Sequence, residues 1–160
     1  MKNIFFLRHA KSSWDDFALK DFDRPLSTRG IQDADLMGNF FKSKKIVLDK
    51  VVSSPSRRTK ETIDHFFGKK KPDIEYVDSL YHAHMEKILD ILFGLDFSLN
   101  SIMVVGHNPS MHEVTEYVSG NFIEKFPTCG LSWITISDEW NKITQGCGEL
   151  KLFFKPSQLR

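Results

Sequence analysis

The chain has 160 residues, 41% of them apolar and 27% charged, and a formal net charge of +1. One domain over residues 1–160 can bury an ordinary core at this length without disulfides or metals, and near neutrality removes the broad basic excess of nucleic-acid binders. With only Cys129 and Cys147, both expected to be packing residues, and no apolar run of secretory or membrane length, the expectation is a monomeric cytoplasmic protein that engages neither membrane nor nucleic acid.

In chain order, Ile4, Phe5, Phe6 and Leu7 predict a strand apolar on both faces. Ile31, Ala34, Gly38 and Phe41 then fall on one helical stripe, with Ser27 or Thr28 as its N-cap. Val51 and Val52 predict a second short strand, and a second helix starts near Pro55 and runs through Thr62 to Phe66. Residues 74–77 predict a third strand, followed by a helix over residues 85–93 with Ile88, Leu89, Ile91 and Leu92 on its apolar side. Residues 102–105 repeat the two-faced apolar pattern, and Pro109 and Ser110 open a helix carrying Met111, Val114 and Val118. Two period-two segments close the chain, Leu131, Trp133, Thr135 and Leu150, Leu152, Phe154, expected as antiparallel strands. The alternation predicts an α/β fold, a three-layer α/β/α sandwich around a mostly parallel sheet. The excess of phenylalanine, 14 against 3 Tyr and 3 Trp, is assigned to packing, with Phe5, Phe6, Phe40, Phe41, Phe66 and Phe67 on its elements.

Chemistry concentrates at three strand-to-helix junctions: Arg8-His9-Ala10-Lys11-Ser12, Ser54-Pro55-Ser56-Arg57-Arg58, and Gly106-His107-Asn108-Pro109. Parallel strands would open all three on one sheet edge, where such folds bind ligands. His9, an arginine from 57 and 58, His107 and Arg8 would then share a cleft. Imidazoles and guanidiniums make a poor core but a good receptor for phosphoryl oxygens, which need several donors at once. Singly, each has a bland reading: a half-exposed loop histidine, a solvated arginine pair, a turn before a helix. Their coincidence at equivalent junctions favours the shared site.

These motifs resemble those of the histidine phosphatase superfamily. Leu7-Arg8-His9-Ala10 is similar to its Arg-His-Gly signature. Ser54-Pro55 through Thr62 is similar to its Ser-Pro-x-x-Arg motif, which aligns Arg58 rather than Arg57 with the phosphate-binding arginine. Gly106-His107-Asn108-Pro109 resembles its second histidine motif. More narrowly, Arg8-His9-Ala10-Lys11-Ser12-Ser13-Trp14, followed by Asp23-Arg24-Pro25-Leu26-Ser27, looks like the SixA-type phosphohistidine phosphatases. The resemblance implies the phosphoglycerate mutase-like sandwich and a nucleophilic His9 that forms a covalent phosphohistidine. Arg8 and Arg58 would clamp phosphate oxygens and His107 would donate to them, with Ser12 as a further phosphate donor and no metal or cofactor required. Asp15 departs from an asparagine in many members and is left outside the pocket.

No Leu-x-Glu or Trp-Glu-Gly pattern follows residue 77, so the proton donor of the sugar-phosphate branches has only Asp78, His84 and Glu86 as candidates. A phosphoramidate needs such an acid less, which points to phosphohistidine on a partner protein, for example a phosphotransfer domain of a two-component system. A small-molecule phosphomonoesterase or mutase-like enzyme is the alternative, and a non-catalytic phosphoprotein-binding module stands below it. His82 and His84 read as solvated rather than as a metal pair. Lys69-Lys70-Lys71 reads as a solvated turn, and Trp14, Phe17 and Phe22 either shape the pocket mouth or cover the sheet.

Overall fold

The apolar run at residues 4–7 lies inside β1 (Lys2–Arg8), and its counterpart at 102–105 inside β4 (Ser101–Gly106). In the computed structural model, which describes residues 1–160, these two strands pair in parallel at the middle of one six-stranded sheet. Parallel pairing continues outward through β2 (Lys50–Ser53) to β3 (Ile74–Tyr76), giving the order β3-β2-β4-β1-β5-β6. On the other side β5 (Leu131–Ile136) and β6 (Glu149–Phe154) run antiparallel to their neighbours.

Successive side chains of a strand point to opposite faces, which explains why the central strands are apolar throughout. Ile4, Phe6, Ile102 and Val104 join one core with α3 (Met85–Phe93) and α4 (Ser110–Ser119). Phe5, Leu7, Met103 and Val105 join a second core with α1 (Thr28–Ser43) and α2 (Arg57–Phe67). Three layers follow directly, as expected. Burying each such side chain is favourable by about 1.5–3 kcal/mol, so the sheet interior dominates the driving force.

The caps refine the predicted helix starts. Ser27 caps α1 by accepting from the Gly30 amide at 3.0 Å, an interaction whose loss typically costs about 1 kcal/mol. Helix α2 begins two residues past Pro55, because Ser56 is its cap. Gly38 lies where α1 crosses α2; a Cβ there would stand 2.0 Å from the Phe66 carbonyl oxygen, so only glycine permits the approach.

Two expectations change. The period-two reading of β6 fails because Trp133 pairs with Leu152 and Ile134 with Leu150, leaving Lys151 bulged out. A bulge shifts the alternation, and Leu150 and Phe154 therefore pack against opposite cores. Cys129 is buried as expected, but Cys147 is exposed in the β5–β6 connection and belongs to neither core. The phenylalanine assignment holds for the six residues named, with Phe40 stacked on Phe154 at 4.0 Å; Phe17 and Phe122 lie outside, 91% and 84% exposed. No helix is long and apolar enough to cross a membrane.

Candidate active site

The parallel strands end on one edge, and the three junctions converge there. The His9 amide donates to the Gly106 carbonyl at 3.0 Å, while the His9 carbonyl accepts from the Cys129 amide at 3.0 Å. Next to it the Ala10 amide donates to Thr62 Oγ1 of α2 at 2.9 Å. The Ser54 amide donates to the Val105 carbonyl at 3.1 Å, tying the second junction to the third. Backbone bonds between adjacent strands thus hold all three junctions in register.

Arg8, His9, Arg58 and His107 line a single cleft of about 320 Å³, together with Asp21, His82, His84 and Asn108. The rings of His9 and His107 lie 5.2 Å apart between centroids. His9 Nδ1 stands 2.7 Å from the Ala10 carbonyl, which can only accept, so Nδ1 carries the proton and Nε2 keeps a free lone pair. Burial, with smaller pushes from His107, Arg58 and Arg8, lowers the His9 pKa to about 3 despite the opposing bond to Ala10. Near neutral pH this ring is an uncharged imidazole with its tautomer fixed and its Nε2 lone pair free. Burial and then Arg58 likewise lower His107 to about 4.

His107 Nε2 lies 2.8 Å from the Ser54 hydroxyl, and its Nδ1 lies 3.4 Å from Arg58 Nη2. Arg58 Nη2 can only donate, so Nδ1 accepts from it here and Nε2–H donates to Ser54. The Ser54 hydroxyl can also donate, so the tautomer that turns Nδ1–H to an anion is open to His107 once Arg58 turns its N–H to the same anion. Arg8 Nη1 donates to the Phe126 carbonyl at 3.0 Å, an acceptor it shares with Asn108 Nδ2 at 2.9 Å. Arg8 Nε and Asn108 Oδ1 are buried without partners. Two cationic arms, two neutral imidazoles and incompletely bonded polar groups together form a receptor for a tetrahedral oxyanion.

One carboxylate faces this array, and the sequence reading missed it. Asp21 sits in a single 3-10 turn (Asp21–Asp23) that packs against α2. Its Oδ2 accepts from Arg58 Nη2 at 3.0 Å and from the Tyr81 hydroxyl at 2.6 Å, and its Oδ1 accepts from Arg24 Nη1 at 3.2 Å. Burial would raise its pKa, but the Tyr81 and Arg58 contacts outweigh that and hold it down at about 2. Asp21 is thus ionised at working pH. No periodicity or motif in residues 15–23 distinguishes it from the neighbouring exposed aspartates; only the fold brings it to Arg58.

The remaining predicted residues divide clearly. Ser12 is not in the cleft lining: its hydroxyl accepts from Arg24 Nη2 at 2.8 Å, and residue 12 bridges to Leu26. Arg57 points away and pairs with Glu61 at 2.8 Å on the exposed side of α2. Asp15 is exposed. Among the proton-donor candidates, His84 lines the cleft while Asp78 and Glu86 do not. His82 and His84, read as solvated, are exposed, and both line the cleft. Trp14 carries the Arg24 guanidinium 3.2 Å above its ring, Phe17 stands in solvent, and Phe22 meets Tyr81 edge-on at 5.0 Å, so none of them covers the sheet.

Comparison with known proteins agrees with this geometry. The sequence profile of the histidine phosphatase superfamily (branch 1) matches residues 4–91. An uncharacterized protein of Mycobacterium tuberculosis is 30% identical over 160 residues, covering 94% of this chain and 99% of its own. Phosphohistidine phosphatase SixA of Escherichia coli is 26% identical over 153 residues, covering 86% and 88%. Among solved structures, a provisionally assigned phosphohistidine phosphatase SixA from Agrobacterium tumefaciens superposes with a TM-score of 0.83 at 27% identity, over 97% and 98% of the chains. The protein histidine phosphatase SixA complexed with tungstate gives a TM-score of 0.85 at 23% identity over 99% of both chains, a likeness of fold. With its sheet order, its paired histidines and its profile match in agreement, the chain belongs to the histidine phosphatase superfamily, branch 1, and is of the SixA type.

Proposed function

We propose that this protein is a metal-independent phosphohistidine phosphatase acting on a partner protein, through a covalent phosphohistidine on His9. The observation that carries the reading is that the only carboxyl in the cleft is Asp21, held ionised with a pKa of about 2. An alkoxide leaving group needs a proton in the transition state, and this carboxylate has none to give. A phosphoramidate with a protonated ring leaves as neutral imidazole and requires no enzyme carboxylic acid.

In the first step His9 Nε2 attacks phosphorus in line with the scissile P–N bond. The bond electrons pass to the departing nitrogen, and the phosphoryl group moves to His9. Arg8 and Arg58 bind the non-bridging oxygens, and His107 donates as negative charge concentrates there. Water then attacks the phosphohistidine, releasing inorganic phosphate and regenerating neutral His9. A phosphotransfer domain of a two-component system has the appropriate chemistry as partner.

His84 favours a second reading. An imidazole lining the cleft could protonate an alkoxide, making the protein a small-molecule phosphomonoesterase. The test is release of phosphate from a phosphohistidine-bearing phosphotransfer domain, with glycerol phosphate as the alkyl comparison and His9→Ala as control. The leading reading expects release from the phosphoprotein that His9→Ala abolishes. Rapid turnover of the alkyl phosphate without action on phosphohistidine would overturn it.

A further inference from the structure

Asp21 is an unexpected neighbour for a phosphate receptor. A carboxylate repels the phosphoryl dianion and occupies an Arg58 nitrogen that could otherwise bind it. If its purpose were only to orient Arg58, the Asp21 backbone carbonyl already accepts from Arg58 Nη1 at 2.8 Å. The side chain is nevertheless held firmly, by Tyr81 and Arg24 as well as by Arg58. Three of the roughly four acceptor positions of a carboxylate are thereby filled, and one remains. The side chain also keeps 43% of its exposure, on a cleft whose other walls are His9 and His107.

We propose that Asp21 is the specificity-determining residue of the leaving-group side, selecting phosphoramidates whose leaving group is cationic before cleavage. The inference rests on the phosphohistidine reading above. A phosphohistidine ring carries its phosphoryl group on one nitrogen and, when protonated, an N–H on the other. That N–H donates to the free acceptor position of Asp21. The bond keeps the ring protonated, and the protonated ring has the weaker P–N bond. As His9 Nε2 forms its bond to phosphorus, the electrons of the old bond neutralise the ring. It departs as imidazole with its remaining proton in place, so Asp21 neither gains nor loses a proton. An ester oxygen offers no cation to this carboxylate and meets only its repulsion. Phospholysine has the same ground-state charge pattern and belongs to the same substrate class.

The experiment compares kcat/KM for a phosphohistidine phosphotransfer domain and for p-nitrophenyl phosphate, in the wild type, Asp21→Asn and Asp21→Glu. Both substrates use the same folded fraction, so their ratio is insensitive to partial misfolding. The selectivity ratio is expected to fall about tenfold in Asp21→Asn, the size of one charge-assisted hydrogen bond, with p-nitrophenyl phosphate turnover rising. Asp21→Glu, which keeps the charge, is expected to recover part of the selectivity. The phosphohistidine rate of Asp21→Asn should also fall more steeply as pH rises, because the substrate ring loses its proton sooner. A ratio within about twofold of wild type overturns the assignment, as does an equal loss on both substrates, which would make Asp21 a prop for Arg58. Wild-type protein inactive on phosphohistidine overturns the proposed function itself, a distinct result.

Discussion

The floor and the rim of the cleft are built on different principles. Arg8, His9 and His107 follow directly from β1 and β4, and their backbone is fixed by bonds to Gly106, Cys129 and Ala10's partner Thr62. Asp21, Tyr81, His82 and His84 come from connecting segments, and the first three are placed by side-chain contacts to one another and to Arg58. The floor is buried and rigid, which suits a reaction at phosphorus that tolerates little misalignment. The rim is open and polar, which suits choice among leaving groups. Under the proposed function, phosphoryl chemistry belongs to the sheet and selectivity to two connections above it.

That division makes unequal demands on substitutions. The largest effect is expected at His9: alanine there should reduce phosphate release by roughly a thousandfold or more, because no other group in the cleft replaces the nucleophile. Trapping of phosphate label on the wild-type chain, absent in His9→Ala, checks the same point; label retained by the variant would move the nucleophile elsewhere. Arg58→Ala should reduce kcat/KM about a hundredfold to a thousandfold, whereas Arg57→Ala, one residue away on the exposed face, should stay within about twofold. Comparable losses in both would contradict the placement of Arg58 alone in the cleft.

The buried imidazoles also make a thermodynamic prediction. His9 and His107 are lowered to about 3 and about 4, well below their ordinary 6.5. Between those values and 6.5 the unfolded chain binds protons that the folded chain does not, so stability falls as pH drops through this window. Each imidazole contributes a slope of at most about 1.4 kcal/mol per pH unit. Urea unfolding at pH 7, 6 and 5 should show wild type losing stability faster than His9→Ala; parallel profiles would refute a buried neutral His9. The smallest catalytic effect is expected at Ser12, outside the cleft. Ser12→Ala removes the acceptor of Arg24 and should cost about 1 kcal/mol of stability, with kcat/KM changed less than about threefold. A tenfold loss of activity at unchanged stability would return Ser12 to the phosphate site.

The same division governs what could be read from the amino acids. Every regular element except the 3-10 turns was legible, because strands apolar on both faces and helices with one apolar stripe carry their periodicity in the sequence. The floor was legible for a related reason: Arg8, His9, Arg58 and His107 sit at fixed offsets from strand ends or a helix cap. Parallel pairing then brings them together without further information. Ser12 shared that local motif but was diverted by Arg24, a residue distant enough that no local rule connects the two. Lys151 slipped out of the β6 pattern because a bulge depends on the partner strand's register. His82 and His84 are exposed loop residues, as read, and only the folding of the segment after β3 sets them at the edge of the cleft.

By itself, then, the sequence determined the three-layer α/β architecture and which residues meet at the floor of the cleft, since both rest on short-range periodicity and on residues adjacent to strand ends. Near-neutral net charge concealed the cleft's chemistry, because its positive field is local to Arg8 and Arg58. Tertiary structure alone decided the tautomer and neutrality of His9, which depend on burial and on one carbonyl contact. It alone decided the rim as well. Asp21 is one of several acidic residues in an irregular segment, and only the packing of that segment against α2 and Tyr81 places its carboxylate beside Arg58.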